Sequence, residues 1–160
     1  MRIFWMVSAI LLATVLGASA ADKYNGPVPE KANIPYLLHA DNLIELEEQT
    51  ASESTKGDKL TYVIKSATSP AQTPMSEPMF LLKTQSDPSK LSLYPFDSKG
   101  GSREITFNTK KPKDNPRPVR FSITKLMDGL YKLEVQQFME NGEYAFSPDG
   151  SNLVFAFQVY

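Results

Sequence analysis

His39 and Asp41 are the residues whose types and spacing come closest to catalytic chemistry. Two residues apart in an extended strand, they would share a face. The single histidine of the chain would then have a carboxylate beside it, as in the orienting half of a hydrolytic triad. The nucleophile has no signal of its own. There is no G-x-S-x-G elbow and no S-x-x-K opening. Ser102 after Gly100-Gly101 and Ser151 after Gly150 read as turn serines.

Metal chemistry has even less to work with. One histidine and no cysteine leave too few nitrogen or sulfur ligands for a tetrahedral zinc centre. Asp149-Gly150-Ser151-Asn152 could lend oxygens to calcium. It lacks the Asp-x-Asp-x-Asp-Gly spacing and the terminal glutamate of the known loop, so it reads as a tight turn. Glu45, Glu47 and Glu48, next to Leu43, Ile44 and Leu46, read as the solvated side of an amphipathic segment. No cofactor is implied by any motif, and a carboxylate-pair glycosidase has no positive signal.

The strongest charge feature is basic. Lys110, Lys111, Lys113, Arg117 and Arg120 crowd a short stretch interleaved with Pro112, Pro116 and Pro118 and offset by Asp114. Prolines at that density forbid a helix, so the run reads as an exposed, semi-rigid loop. Such a loop suits an anionic glycan or surface, or an acidic protein of the envelope. No aromatic side chain lies within it, which argues against stacking on single-stranded nucleic acid. Elsewhere Phe121, Tyr131, Tyr144, Phe146, Phe155 and Phe157 sit at alternating positions and read as core. Tyr24, Tyr36 and Tyr94-Pro95-Phe96 fit the alternation less well; exposed together, they would form a binding surface.

The elements that must carry these residues read as strands. Residues 120–126, 131–135, 144–146 and 153–160 alternate or run apolar. Asp128-Gly129, Asn141-Gly142 and Pro148-Asp149-Gly150 separate them as turn signals. This predicts a C-terminal four-strand antiparallel meander, whose last member has too few polar residues to face water on either side. Upstream, residues 36–40, 43–46, 60–64, 79–83, 91–96 and 103–108 read as shorter strands. Only 41–49 could turn as a helix instead. Residues 21–33, 50–58 and 66–78 are polar or proline-rich and read as an N-terminal arm and two loosely held loops. The expected fold is all-β: an antiparallel β-sandwich over 34–160, behind a leader at 1–20.

That leader has Arg2, an apolar run over 3–16 and the small residues Gly17-Ala18-Ser19-Ala20, the order of a secretory signal peptide cleaved near Ala20. The apolar run is short for a membrane span, so no stable membrane insertion is expected after cleavage. The product is expected to be extracytoplasmic, periplasmic or secreted. The formal net charge of −1 becomes one unit more negative without Arg2, which argues against a dedicated nucleic-acid binder. The absence of cysteine leaves a hydrophobic core to hold the domain without disulfides. In an exported protein, that absence suits a bacterial envelope.

Gly129-Leu130-Tyr131 with Glu134-Val135, Gly142-Glu143-Tyr144-Ala145, and Gly150-Ser151-Asn152 before Phe155-Ala156-Phe157 resemble the C-terminal ends of small secreted bacterial proteins of unknown function. The resemblance implies an immunoglobulin-like sandwich and no catalytic residues. The expectation from sequence is an exported non-catalytic binding or assembly module of the bacterial envelope, with Lys110, Lys111, Lys113, Arg117 and Arg120 as its binding residues. The alternatives are a small extracytoplasmic hydrolase, a structural subunit and a small outer-membrane β-barrel.

Overall fold

A computed structural model of the chain describes residues 23–160. Over these the apolar alternation becomes an all-β fold of packed antiparallel sheets, a β-sandwich. The signal-peptide reading at 1–20 lies outside the described residues. In chain order the strands are β1 (Pro35–His39), β2 (Asn42–Glu45), β3 (Glu47–Thr50), β4 (Ser52–Lys56), β5 (Lys59–Lys65), β6 (Gln72–Thr73) and β7 (Met79–Lys83). They continue as β8 (Leu91–Lys99), β9 (Ser102–Asn108), β10 (Phe121–Met127), β11 (Leu130–Val135), β12 (Gly142–Pro148) and β13 (Leu153–Val159).

Five strands form one sheet in the order β10-β11-β7-β1-β2. The eight-stranded sheet runs β3-β13-β12-β8-β9-β5-β4, with short β6 parallel to β13. Its two edge strands, β3 and β4, are successive pieces of one chain segment, parted only by Ala51. β3 pairs with β13 and β4 with β5, so the sheet rolls until its edges meet in a single bent strand. Strand β8 makes the opposite bend: its first part pairs with β12 through Phe96, and its last residues, from Asp97, pair with β9.

The roll explains why β12 and β13 are so apolar. Phe146, Phe155, Phe157 and Tyr144 point one way, into the core beneath the five-stranded sheet. Phe80 of β7 meets them there, with ring centroids 5.0 Å from Phe146 and 4.9 Å from Phe157. The alternate residues Ala145, Val154 and Ala156 point the other way, into a second cluster inside the roll with Ala51, Ile64, Phe96 and Ile105. Two buried faces leave little room for polar residues, as the terminal strand was expected to show.

Three expectations change. The C-terminal meander is two hairpins on opposite sheets: β10-β11 joins β7, while β12-β13 joins β8. The reason lies in the connection over 136–141. Met139 is buried there and its N–H donates to the Ser76 carbonyl at 2.9 Å, carrying the chain across the core instead of turning it back. Residues 50–58, expected loose, contain β4. Its side chains are all exposed, so polarity marked a solvent-facing strand and not an unstructured one. Residues 66–78 are likewise held: Ser69, Ala71 and Thr73 are buried and β6 adds to the sheet beside β13. The arm over 23–33 is pinned by Lys31, whose ammonium lies 2.8 Å from Glu45.

Candidate binding site at the open end of the rolled sheet

The strands of the roll place an inward residue at every second position, and the two ends receive different chemistry. On β9 the inward series is Arg103, Ile105 and Phe107; on β5 it is Ile64, Tyr62 and Leu60, as the register pairs Ile64 with Arg103, Tyr62 with Ile105 and Leu60 with Phe107. Charge thus falls at one end, level with Ile64, while aromatic rings enter from the middle, at Tyr62, to the other end, at Phe107.

Arg103 shuts the first end. Its side chain is 1 % exposed. It donates through Nε to the Ser66 carbonyl at 3.1 Å, and through Nη2 to Glu47 Oε1 at 3.1 Å, the Lys65 carbonyl at 3.0 Å and Ser66 Oγ at 3.1 Å. Nη1 reaches Glu143 Oε2 at 3.4 Å and lies 2.9 Å from Glu47 Oε2. That second approach is an ion pair without hydrogen-bond alignment, and Glu47 Oε2 and Glu143 Oε1 have no hydrogen-bond donor among the described residues. Residues 66–71 lie across this end. Ser66 adopts φ 67° to turn the chain over it. The Ser69 N–H donates to Glu143 at 3.1 Å and its hydroxyl to the Ala156 carbonyl at 3.1 Å. Burial pushes the Glu143 carboxyl above its ordinary range, more strongly than Ser69 and Arg103 draw it down. Burial also raises Glu47, but bonds from Arg103 and Gln49 outweigh it and hold that carboxyl low. Two carboxylates against one guanidinium, with every Arg103 nitrogen engaged, make a structural plug with no room for a substrate.

The other end is open. A pocket of about 470 Å³ enters the roll there. Its deep wall is Ala51, Phe96, Ile105 and Val154, and the two small residues on β13 and the β3–β4 junction leave the space that rings fill on the opposite side. Tyr62, Tyr94 and Phe107 form that side. Phe107 meets Tyr94 edge to face at 5.5 Å and 88°, and Tyr62 at 6.2 Å and 75°. All three rings remain only half-buried. Two acids, Glu53 and Asp149, lie at the rim together with Ser92, Ser147, Ser151 and Asn152. Glu53 stands directly across the ladder from Tyr62. Burial, and after it the Glu53 charge, pushes the Tyr62 hydroxyl above its ordinary range. Asp149 sits on the β12–β13 turn, which needs Gly150 at φ 70° and is tied to Lys90 by a 2.9 Å backbone bond.

The basic loop leaves the same open end, because β9 runs from Arg103 at the plug to Phe107 at the mouth. Lys110, Lys111, Lys113, Arg117 and Arg120 are all exposed. Asn108 and Asn115 latch the loop: Asn108 Oδ1 accepts the Lys110 and Lys111 N–H groups at 3.0 and 2.9 Å, and Asn115 Oδ1 accepts the Asn108 N–H at 2.6 Å. Thr109 bonds the Asp58 carbonyl at 2.8 Å, and the Lys110 ammonium lies 2.9 Å from the Asp58 carboxylate. Arg120 is carried away to the start of β10, where its N–H donates to Gln137 at 3.1 Å. None of these five residues lines the pocket: Lys110 is held against Asp58 beside the β4–β5 turn, and Arg120 lies at the start of β10.

The remaining sequence candidates are not brought together. His39 ends β1 exposed, and Ala40 at φ 54° breaks the extended geometry that would have put Asp41 beside it. Among the described residues no serine reaches His39. Glu45, Glu47 and Glu48 do not form one solvated side. Glu45 bonds Lys31 and Tyr36 at the surface, Glu47 turns in to Arg103, and Glu48 faces water. Tyr36 is buried in the five-stranded sheet and does not join Tyr94. What sequence reasoning missed is the partnership of Tyr94 with Tyr62 and Phe107. The signal was present as inward-phase rings on three strands, but their pairing across the roll was not visible in one dimension. Compared with protein-family models, with curated proteins and with solved structures, the chain has no match.

Proposed function

We propose that the chain is an exported, non-catalytic binding module of the bacterial envelope, and that it binds through the open end of the rolled sheet. The pocket floored by Tyr62, Tyr94 and Phe107 carries this reading. Rings that could have been covered by larger residues at Ala51 or Val154 are left half-buried, in a concavity of the size that takes a small molecule. The strands hold the rings rigidly, and the turns at the mouth are fixed by backbone bonds, so little ordering remains to oppose binding. The exposed lysines at 110, 111 and 113, on the loop that follows β9, add a long-range attraction to the anionic envelope surface.

The test is a titration of residues 21–160 with N-phenyl-1-naphthylamine, an uncharged dye that brightens in apolar sites. Saturable brightening that Ser92→Trp abolishes by filling the pocket, with the urea midpoint unchanged, is the expected result. Equal brightening in both proteins, or none in either, would contradict a pocket-centred module.

A further inference from the structure

The pocket also has a charge preference written into its lining. Three aromatic rings line one space: Phe107 stands edge to face with both Tyr62 and Tyr94, at 75° and 88°. Faces of aromatic rings are negative, and several around one point attract a cation more strongly than any uncharged group of the same shape. Among the described residues, the charged ones lining the same space are Glu53 and Asp149, and no lysine or arginine lines it. The register sets Glu53 against Tyr62, which puts its carboxylate on the side of the rings, while Asp149 approaches from the β12–β13 turn. The nearby lysines do not reverse this field. Lys110 is paired with Asp58 on the outside of the β4–β5 hairpin, and Lys56 and Lys59 are exposed on that same hairpin. Serines 92 and 147 supply neutral hydroxyls opposite one another on β8 and β12.

We infer that this pocket is a site for a compact organic cation, an ammonium group carried on an apolar or aromatic body, held by Tyr62, Tyr94 and Phe107 with Glu53 and Asp149 as counter-charges. The inference rests on the proposed binding role of the open end and gives that site its ligand class. The ammonium enters the ring cluster, where its methyl or methylene groups meet the faces. The apolar body lies toward Phe96 and Val154. The carboxylates remain at the mouth, close enough to balance the charge and hydrated enough to stay ionised. A primary amine could add hydrogen bonds to Ser92 or Ser147, whereas a quaternary one relies on the rings alone.

Calorimetric titration with benzyltrimethylammonium and with its uncharged isostere neopentylbenzene separates the two claims. The cation should bind about tenfold more tightly than the isostere. Glu53→Gln and Asp149→Asn should each remove several-fold of that preference while leaving the isostere unchanged, and Tyr94→Leu should remove most of it. Equal binding of cation and isostere would overturn the cation preference and leave the pocket reading standing. Tighter binding of phenylacetate than of either would overturn the preference in favour of an anion. No binding of any of them, with Ser92→Trp indistinguishable from the parent chain, would overturn the pocket reading itself.

Discussion

At one end of the rolled sheet Arg103, Glu47 and Glu143 close the interior. At the other, Tyr62, Tyr94 and Phe107 leave it open, although β5 and β9 run through both. The contrast shows how one ladder serves stability and access together. At the plug, three charged groups have lost their water, and each depends on the others and on Ser66 and Ser69 for compensation. Such an arrangement fixes geometry more than it adds net stability, because the desolvation of the ions offsets most of their attraction. At the mouth, the rings keep water on one side and give up part of the burial they could have had. The closed end positions strands; the open end uses the positions.

Replacing Arg103 is the harshest way to break this contrast. Arg103→Leu leaves Glu47 and Glu143 buried without a cation, and should cost about 3–5 kcal/mol in urea denaturation. A loss within the range of an ordinary surface change would mean that the plug is hydrated and the closed end is not closed. Ile64→Ala, in the packed layer directly across the ladder from Arg103, should cost about 2–4 kcal/mol by leaving a cavity. Tyr94→Leu at the mouth should cost about 1 kcal/mol or less, because that ring is only half-buried. The cost of substitution would thus fall from the closed end to the mouth, and equal losses at Ile64 and Tyr94 would contradict that difference.

The two acids of the plug can be told apart by pH. Glu47 is held below its ordinary range, so its stabilisation is present above the unfolded carboxyl value and is lost as pH falls through the lowered folded one. Glu143 is raised by burial, so ionising it opposes folding, and that cost appears as pH rises from the unfolded value through the raised folded one. Relative to the parent chain, Glu143→Gln should therefore fare better at neutral than at acid pH, and Glu47→Gln should fare worse. Urea midpoints between about pH 3 and pH 8 read this directly; parallel curves for the two variants would contradict the opposed shifts. The mildest change is in the basic loop. Replacing Lys110, Lys111 and Lys113 with glutamine should leave the urea midpoint unmoved, since exposed ion pairs such as Lys110–Asp58 contribute little, while weakening attachment to anionic vesicles at low salt.

Much of the sandwich was legible because its signals are local. Alternation in β10 and β11, Asp128-Gly129 between them, and the unbroken apolar run of β13 are each read within a few residues. The meander failed because nothing in 136–141 says locally that Met139 will be buried across the core. β3 and β4 were illegible for a related reason: their residues are polar because one face meets water and the other contributes Glu47 to the plug and Glu53 to the mouth. Arg103 carried a readable hint, a lone cation in phase with Ile105 and Phe107, but its partners lie on β3 and β12, far along the chain. Sites made by rolling a sheet belong to the pairing of strands, and a single sequence shows only the strands.

The most direct test of the open-end account is side-chain NMR of residues 21–160 titrated with benzyltrimethylammonium. The account predicts that ring signals of Tyr62, Tyr94 and Phe107 shift together with one saturation curve, while Arg103 Nε and the rings of Phe80 and Phe146 stay still. Shifts centred on His39, on the plug or on the five-stranded sheet, with the three mouth rings unmoved, would contradict it.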